Sequence, residues 1–280
     1  MKVAIIGYGF VGKAVYSAIR EDVDIVKIDP ALGTDLNDLL NFKPDFIFVC
    51  LPTPMQSNGS QDLSILKNVF NQLKENKLSG NIILKSTVTP ENLLALNSKI
   101  DFVYNPEFLR EKTAESDFIN AKLILFGGSE QLCKEASRFY LKYTKCKQKE
   151  HQLTDQLTAS LVKYSINSFL ATKVIFFNQL KSLCQATGED LDWENLIKIT
   201  SIDERIGDSH MNVPGHDGRN GFGGACFPKD IAALDSFSSK LDFDFSLIRE
   251  VIKINNQIRS VYNEPIKREV DQNISFNDEE

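Results

Sequence analysis

The sequence predicts an α/β protein in which an N-terminal doubly wound parallel sheet is followed by an all-helical domain built on one long helix. Residues 1 to about 150 alternate short apolar stretches, typical of strands buried on both faces, with amphipathic stretches of helical spacing. Residues 155–186 contain neither proline nor glycine, and their apolar positions recur at spacings of three to five residues. A covered sheet and a long helix account for these patterns.

The elements of the first domain follow from this alternation, with turns marked by glycine, proline and polar residues. Strands are expected at Lys2–Ile6, Asp24–Ile28, Asp45–Cys50, Asn81–Lys85, Phe102–Tyr104 and Leu123–Phe126. Helices are expected at Val11–Ile19, Leu36–Phe42, Leu63–Leu73 and Glu130–Tyr143, with a further short apolar stretch at Leu93–Leu96. The polar residues 142–150 form a connector, so we expect a first domain of residues 1–150.

The second domain, residues 151–264, is expected to be helical apart from a polar, glycine-rich loop at 209–224. Its helices are expected at Asp155–Ala186, Asp192–Thr200, Ile231–Ser238 and Phe245–Val261. The apolar surface of the long helix is broad, which predicts burial on more than one side, including against a second subunit. Residues 265–280 form a polar, acidic tail that we expect to fray.

Composition and charge exclude several classes of protein. The chain is 42% apolar and 25% charged, and no apolar run approaches the roughly 18 residues of a membrane span. The first strand begins at once, which leaves no room for a signal peptide. A net charge of −6 argues against a general nucleic-acid surface. Five cysteines without a CxxC pair favour a reducing, cytoplasmic compartment, and three histidines without ligand spacing argue against a metal site.

A glycine-rich turn after the first strand, Gly7-Tyr-Gly9-Phe-Val-Gly12, predicts a Rossmann-type dinucleotide site. Gly7 would make the tight turn, Gly9 would let a pyrophosphate approach, and Gly12 would let helix and strand pack together. The pyrophosphate would face the helix N-terminus at Val11. Asp29, at the end of the second strand, would bind ribose hydroxyls and repel a 2′-phosphate, which favours NAD over NADP. A glycine turn without a ligand is the alternative.

Polar residues follow three later strands, at the carboxyl edge where open α/β sheets bind ligands. Thr53 and Thr87 are candidates to line the cofactor site, although each could instead cap a helix. Glu107 and Glu111 would lie on one face if their turn is helical, and such a pair could orient water or exchange protons. A solvated pair of surface glutamates is the alternative.

The second domain contains Gly221-Phe-Gly-Gly-Ala-Cys226-Phe-Pro-Lys-Asp230, in which a cysteine lies between a glycine run and an aspartate. A glycine loop lets a close-fitting ligand such as a sugar or nucleotide approach the backbone. A thiolate there is a strong nucleophile, and Asp230 could orient water or accept a proton. Lys163 and Asn167 lie one turn apart on the long helix. The alternatives are a small buried cysteine and an exposed surface lysine.

Six motifs follow one another along nearly the whole chain. They are Gly7-Tyr-Gly-Phe-Val-Gly12, Pro52-Thr-Pro54, Ser86-Thr-Val88, Asn105-Pro-Glu-Phe-Leu-Arg-Glu111, Leu161-Val-Lys-Tyr-Ser-Ile-Asn167 and Gly221-Phe-Gly-Gly-Ala-Cys-Phe-Pro-Lys-Asp230. In this order they resemble the UDP-glucose/GDP-mannose dehydrogenase family, and the last motif is the most specific. The resemblance implies a four-electron oxidation of the C6 alcohol of a nucleotide sugar to a carboxylate with two NAD. The reaction expected is UDP-glucose to UDP-glucuronate.

The resemblance also implies a role for each matching residue. Cys226 would be the nucleophile that forms a thiohemiacetal and then a thioester. Lys163, with Asn167 beside it, would stabilise the oxyanion, and Asp230 would be the base for an ordered water. Glu107 and Thr87 would help to place that water. Cofactor-binding residues would be Gly7, Tyr8, Gly9, Phe10, Val11, Gly12, Asp29, Pro52, Thr53, Thr87, Glu111 and Lys229. Substrate-binding residues would be Glu107, Phe108, Leu109, Lys163, Asn167, Arg219, Gly221, Phe222, Gly223 and Arg259.

Two features depart from the family's pattern, and two alternative functions stay open. Lys112 stands where a glycine is frequent, and Ala225 where a larger or polar residue is frequent. The broad apolar surface of the long helix favours a homodimer through that helix, and the resemblance implies a further nucleotide-binding domain that this sequence does not contain. The alternatives are a β-hydroxyacid dehydrogenase, which makes one hydride transfer and needs no cysteine, and an NAD-binding relative without turnover. Arg259 is the candidate phosphate partner.

Overall fold

A computed structural model describes residues 1–78, 80–98 and 100–276. The strands in these ranges are β1 Lys2–Ile6, β2 Asp24–Ile28, β3 Phe46–Val49, β4 Asn81–Leu84, β5 Val103–Tyr104, β6 Leu125–Gly127 and β7 Gln152–Thr154. The helices are α1 Phe10–Ala18, α2 Asp38–Phe42, α3 Ser64–Glu75, α4 Pro90–Asn97, α5 Ala114–Ile119, α6 Glu130–Tyr143, α7 Gln156–Ala186, α8 Trp193–Thr200, α9 Phe227–Lys240, α10 Ser246–Arg259 and α11 Lys267–Asp271. Short 3-10 turns lie at Pro30–Leu32 and Glu111–Thr113.

The strands form one sheet in the order β2-β1-β3-β4-β5-β6-β7. Every neighbouring pair is parallel except β5 and β6, which run antiparallel. The chain moves outward from β1 to β2 and then returns to place β3 on the other side of β1, so the topological switch point lies between β1 and β3. Ligands of open α/β sheets bind outside the carboxyl ends of the strands at this point.

Both faces of the sheet are covered, as the continuous apolar strands predict. Val3 and Ile5 of β1 point to one face, where α1, α5 and α6 pack, and Ala4 and Ile6 point to the other, where α2, α3 and α4 pack. The α/β fold with a doubly wound, mostly parallel sheet is therefore confirmed. The three-residue strand β7 and the helix α5 were not predicted, because segments this short carry too few residues to display a period.

The chain forms two compact units, one of residues 1–53 and 62–163 and the other of residues 54–61 together with the chain from Tyr164 onward. The division falls inside α7, between Lys163 and Tyr164, and not in the polar stretch near residue 150. The first turns of α7 belong to the first unit because they pack on its sheet. Ser160 Oγ donates to the carbonyl oxygen of Val88 at 2.7 Å, and Gln156 Nε2 donates to that of Phe102 at 2.9 Å.

The second unit is helical, with two apolar clusters in its described residues. One cluster joins α7, α9 and α10 through residues such as Ile175, Ile231 and Val251, and the other gathers α7 and α8 around Met211 and Val213. The predicted long helix is confirmed. Helix α9 begins at Phe227, four residues before the predicted start, because Pro228 occupies one of the first two helical positions, where proline is tolerated.

The end of the chain differs from the expected frayed tail. Residues 267–271 form α11, and Glu269 and Ile274 are buried. Polar composition predicted exposure here, but a single buried carboxylate and a single buried isoleucine anchor the segment. Among the described residues, no helix combines the length and the apolar character that a membrane crossing requires.

Candidate active site

The glycine turn after β1 has the geometry that a dinucleotide site needs. Gly7 has a φ of +87°, and a Cβ there would lie 2.5 Å from the carbonyl oxygen of Cys50, at the end of the neighbouring strand. A Cβ at Gly12 would overlap the carbonyl oxygen of Gly7, whereas a Cβ at Gly9 would meet no atom within 4 Å. The turn is therefore tight on its inner side and open at Gly9, which caps the N-terminus of α1. This arrangement fits a pyrophosphate at the helix N-terminus.

Asp29 lies beside this turn, at the end of β2. Its Oδ2 accepts a hydrogen bond from the backbone N–H of Tyr8 at 2.6 Å, and its Oδ1 accepts one from Ala31 at 2.9 Å. The carboxylate is thus held at the glycine turn by main-chain donors. That position suits the expected contact with ribose hydroxyls.

The loops after β3 and β4 are tied together by their own side chains. Thr53 Oγ1 donates to the carbonyl oxygen of Thr87 at 3.0 Å, and Ser86 Oγ donates to that of Leu51 at 2.7 Å. Thr53 and Thr87 are both buried. Neither occupies a helix N-cap, because those positions before α3 and α4 belong to Leu63 and Thr89. The alternative of two helix caps is therefore wrong, and both threonines lie at the carboxyl edge of the sheet.

Lys163 and Glu107 form the buried charged pair of the first unit. Lys163 Nζ donates to the main-chain carbonyl oxygen of Glu107 at 2.6 Å and lies 3.5 Å from its Oε1. The other carboxylate oxygen accepts from the backbone N–H of Leu109 at 2.6 Å, and the ammonium lies 5.3 Å from the centre of the Phe108 ring. Lys163 is 2% exposed, so the alternative of a surface lysine is wrong. An ammonium held in this way can stabilise negative charge on a bound oxygen.

Glu107 and Glu111 do not share a helical face. Residues 105–110 form no helix, and the short 3-10 turn begins only at Glu111. Glu107 is buried and Glu111 is exposed. The two carboxylates therefore have different surroundings, and Oε2 of Glu107 is held by the backbone N–H of Leu109. The expectation of a paired set of carboxylates is therefore corrected to one buried glutamate.

A second buried lysine, Lys85, supports this region and was not identified from the sequence. Its Nζ donates to Oδ1 of Asn105 at 2.8 Å, and the Tyr140 hydroxyl donates to the same oxygen at 2.6 Å. Burial lowers the pKa of Lys85 to about 8, although the nearby Cys50 and Glu107 oppose the shift. Burial likewise raises the pKa of the Cys50 thiol to about 12. The available signal was a lysine at the end of an otherwise apolar strand.

In the second unit, three predicted residues meet around one carboxylate. Asn167 Nδ2 donates to Oδ2 of Asp230 at 2.6 Å, and Lys229 Nζ pairs with Oδ1 of the same side chain. Asp230 is 1% exposed. Lys229, expected at the cofactor, has its ammonium on Asp230 in this structure. Lys163 precedes Asn167 by one turn of α7.

Cys226 is the N-cap residue of α9, and its carbonyl oxygen accepts from the N–H of Asp230 at 2.9 Å. The residue is half-buried and not enclosed in a core. A helix N-terminus carries partial positive charge, which favours a thiolate. None of the five cysteines, all in the described ranges, forms a disulfide.

Arg219 and Arg259 differ from expectation as ligand contacts. The guanidinium of Arg259 is fully buried, with Nη1 on Oδ2 of Asp217 and Nη2 on Oε1 of Glu269, both at 2.8 Å. The guanidinium of Arg259, which was the candidate phosphate partner, is therefore already paired with two carboxylates. Arg219 is half-buried and lies over the ring of Tyr262. The described residues hold no group of three or more metal-ligating side chains.

Comparisons with known families match both units. Models of the UDP-glucose/GDP-mannose dehydrogenase family match residues 32–144 as the NAD binding domain and residues 157–257 as the central domain. The UDP-glucose 6-dehydrogenase of Rickettsia felis is 35% identical over 229 residues, which are 79% of this chain and 49% of that protein. The UDP-glucose 6-dehydrogenase YwqF of Bacillus subtilis is 29% identical, over 91% of this chain and 66% of that protein. The chain spans about half the length of the first of these relatives.

Solved structures share the fold. A UDP-glucose dehydrogenase of Pyrobaculum islandicum superposes with a TM-score of 0.76 at 22% identity, over 91% of this chain and 68% of that one. The 3-hydroxyisobutyrate dehydrogenase of Mycobacterium tuberculosis superposes with a TM-score of 0.70 at 14% identity, over 98% and 96%. Fold alone therefore does not separate these two kinds of enzyme, but the two domain models do. This chain belongs to the UDP-glucose/GDP-mannose dehydrogenase family, with NAD as the cofactor that its first domain implies.

Proposed function

We propose that this chain oxidises the C6 alcohol of a nucleotide sugar to a carboxylate in two NAD-dependent steps, with UDP-glucose as the substrate. The observation that carries the proposal is the first turn of α9, where a half-buried Cys226 precedes the buried Asp230 that Asn167 and Lys229 hold. A single-step dehydrogenase has no use for this nucleophile. The family of the chain and the names of its relatives support the same activity.

The cofactor would lie on the glycine turn of the first unit. The open side of Gly9, the N-terminus of α1 and the carboxylate of Asp29 are suited to its pyrophosphate and ribose. The remaining expected contacts are part of the proposal: the lining would be completed by Tyr8, Phe10, Val11, Pro52, Thr53, Thr87 and Glu111. NAD supplies the oxidising equivalents, since two molecules each accept one hydride. The remaining chemistry belongs to the side chains.

Lys163 would stabilise the negative charge that develops on the C6 oxygen. Its ammonium is buried and already oriented by the carbonyl oxygen of Glu107, so little reorganisation is needed when charge appears. Asn167 adds a neutral donor one turn further along α7. Glu107, whose carboxylate is fixed by the N–H of Leu109, is placed to orient a water molecule. Preorganised donors of this kind contribute about 10²- to 10³-fold in rate.

Cys226 would capture the aldehyde formed by the first oxidation. Its sulfur bonds to C6 to give a thiohemiacetal, and the second oxidation converts this adduct into a thioester. Water then attacks the thioester carbon, the C6–sulfur bond breaks, and Asp230 accepts the proton from the water. The thiol is regenerated, and the product is a carboxylate. A reducing cytoplasmic compartment suits a mechanism that requires this thiol.

We also propose that two copies pair through α7. Phe169, Phe176 and Leu183 follow one another at intervals of seven residues and are 67%, 59% and 63% exposed. Seven residues are close to two helical turns, so the three side chains form one apolar stripe. A large exposed apolar stripe on a helix is typical of a helix–helix interface.

The deciding experiment is the number of NADH molecules formed per sugar, with limiting UDP-glucose and excess NAD. Two NADH per sugar are expected. One NADH per sugar would favour a single-step enzyme. The 3-hydroxyisobutyrate dehydrogenase that shares this fold is the example among the compared structures. No NADH with UDP-glucose, GDP-mannose or their N-acetyl relatives would favour an NAD-binding protein without turnover.

A further inference from the structure

The loop that precedes Cys226 is held by side chains from three helices of the second unit. Asn178 on α7 accepts a hydrogen bond from the N–H of Gly221 at 2.9 Å. Asn255 on α10 makes two bonds to Phe222, to its N–H at 2.7 Å and to its carbonyl oxygen at 3.0 Å. Glu269 on α11 accepts from the N–H of Gly224 at 3.1 Å. Because the loop has no strand partner, these side chains define its path.

Glu269 is the charged member of this set, and it is completely buried. Its Oε1 also accepts from Nη2 of Arg259 at 2.8 Å, and its Oε2 accepts from the backbone N–H of Ile266 at 2.9 Å. Arg259 in turn pairs with Asp217 at 2.8 Å. A buried carboxylate with all its partners in place has one orientation, because any other leaves a charge without compensation.

The glycines of the loop fit directly against this ion pair. A Cβ on Gly223 would overlap Nη2 of Arg259 and would lie 2.5 Å from Oε1 of Glu269. Gly224 has a φ of +77°, a conformation that glycine adopts at no steric cost. The backbone of the loop therefore rests on the pair, and only glycine allows this approach.

The segment that carries Glu269 is also fastened by contacts other than the Arg259–Glu269 ion pair. Met55 donates its N–H to the carbonyl oxygen of Gln272 at 3.0 Å, and Nδ2 of Asn273 donates to the carbonyl oxygen of Met55 at 3.3 Å. Ile274 is 5% exposed. The ring of Phe276 lies 5.2 Å from the guanidinium carbon of Arg259. The position of Glu269 is thus set by several contacts along the end of the chain.

We propose that Glu269 is a positioning residue for Cys226, acting through the N–H of Gly224 two residues before it. Helix α9 fixes Cys226 on its C-terminal side, where Asp230 donates to its carbonyl oxygen. The loop fixes it on its N-terminal side, and Glu269 holds the last anchored residue of that loop. The inference rests on the proposed role of Cys226 as nucleophile. By this inference, residues 267–271 help to place the nucleophile through the Glu269 carboxylate, without contacting the substrate.

The test compares Glu269→Ala, Glu269→Asp and Glu269→Gln with wild type and with the control Glu264→Ala. Glu264 lies in the same part of the chain but is exposed. The first measurement is the rate at which iodoacetamide modifies Cys226, read by peptide mass spectrometry. Cys184, also half-buried and in the last turns of α7, is the internal reference. The second measurement is kcat for NADH formation with UDP-glucose.

In Glu269→Ala and Glu269→Asp the loop loses its acceptor, so Cys226 becomes more accessible. We expect its modification to accelerate about tenfold while Cys184 is unchanged. We expect kcat to fall about 10- to 100-fold, because a displaced nucleophile no longer meets C6 in line. Glutamine keeps an oxygen for Gly224 but loses the charge that pairs with Arg259 and turns an amide nitrogen toward the N–H of Ile266. Glu269→Gln should therefore lie between wild type and Glu269→Ala in both measurements. Glu264→Ala should match wild type in both.

Wild-type modification and kcat in Glu269→Ala would overturn the inference, as would a Glutamine variant as impaired as the alanine variant. Gly223→Ala offers a second route if the alanine variant does not fold, since it pushes the loop off the ion pair and leaves every charge in place. It should also accelerate modification of Cys226. The labelling result decides the inference even if the wild-type chain forms no NADH, which would count against the proposed function alone.

Discussion

Asn167 donates from Nδ2 to Oδ2 of Asp230 at 2.6 Å, while the ammonium of Lys229 occupies the other carboxylate oxygen. The carboxylate is 1% exposed, so these two donors determine its orientation. It lies in the first turn of the helix that begins after Cys226. A base in this place is suited to the last step of the proposed reaction, the attack of water on the thioester.

Asp230→Asn should stop the reaction at the thioester. An amide cannot accept the proton of the attacking water, so we expect carboxylate formation to fall about 10²- to 10⁴-fold. The acyl group should then accumulate on Cys226. Intact-protein mass spectrometry after mixing with UDP-glucose and NAD would detect the added mass.

Asp235→Asn is the matched control, since Asp235 lies on the same helix and pairs with Arg249. It should leave carboxylate formation unchanged. The double variant Lys229→Met with Asp230→Asn removes both charges, which avoids leaving a buried ammonium without its partner. Carboxylate formation at the wild-type rate in Asp230→Asn would show that another group activates the water.

Cys226→Ser should allow at most the first oxidation. A serine hydroxyl is a far weaker nucleophile than a thiolate, so the aldehyde would not be captured and no acid would form. We expect no more than one NADH per sugar, against two for wild type. Product analysis by mass spectrometry would measure carboxylate directly, with Cys184→Ser as the control. Full carboxylate production by Cys226→Ser would overturn the covalent mechanism.

Local patterns predicted the elements of this protein better than its polar contacts. The glycine turn at Gly7 and the long helix follow from spacing within one segment, and the structure contains both. The meeting of Asn167 with Asp230 joins residues 63 positions apart, which no periodicity can indicate. The resemblance assigned both residues to one reaction but predicted no contact between them.

For other polar contacts, neither a spacing pattern nor the family resemblance indicated the residues involved. Lys85 and Asn105 meet because the parallel strands β4 and β5 end at the same edge of the sheet, and Tyr140 reaches Asn105 from α6. Arg259 was assigned to a ligand because a lone arginine on a helix displays no partner in sequence. Its partner, Glu269, follows it by ten residues in a segment whose polar composition predicted disorder. Composition averages over a segment, whereas one buried pair is enough to anchor it.

Phe176→Glu should weaken the proposed dimer. A charge in the centre of the apolar stripe of α7 would be buried without a partner in the pair, which costs several kcal/mol, and every 1.4 kcal/mol raises the dissociation constant about tenfold. We expect a shift from dimer to monomer in sedimentation equilibrium at micromolar concentration. Phe243→Glu is the control, because Phe243 is 58% exposed and lies in the loop after α9. A wild-type chain that sediments as a monomer would refute the pairing.

Lys85 predicts a dependence of stability on pH. Its pKa is lowered by burial from 10.5 to about 8, so between these values the unfolded chain binds more protons than the folded one. The free energy of unfolding therefore gains a favourable contribution as pH rises through this window, and the contribution is absent below it. Lys85→Met removes this contribution and leaves Asn105 its hydrogen bond from Tyr140.

Urea unfolding of wild type and Lys85→Met between about pH 7.5 and pH 10 measures this contribution. The stability of wild type relative to the variant should rise by about 2 kcal/mol across the range. The raised pKa of Cys50 acts in the opposite direction, since an unfolded thiol ionises first, and the charge of Lys85 lowers that pKa. Both proteins therefore also carry Cys50→Ala, which removes the thiol from the comparison. Lys74→Met, at an exposed lysine of α3, should show no such rise. A constant difference between wild type and Lys85→Met would mean that Lys85 keeps its proton throughout the range, held by Asn105 and the charge of Glu107.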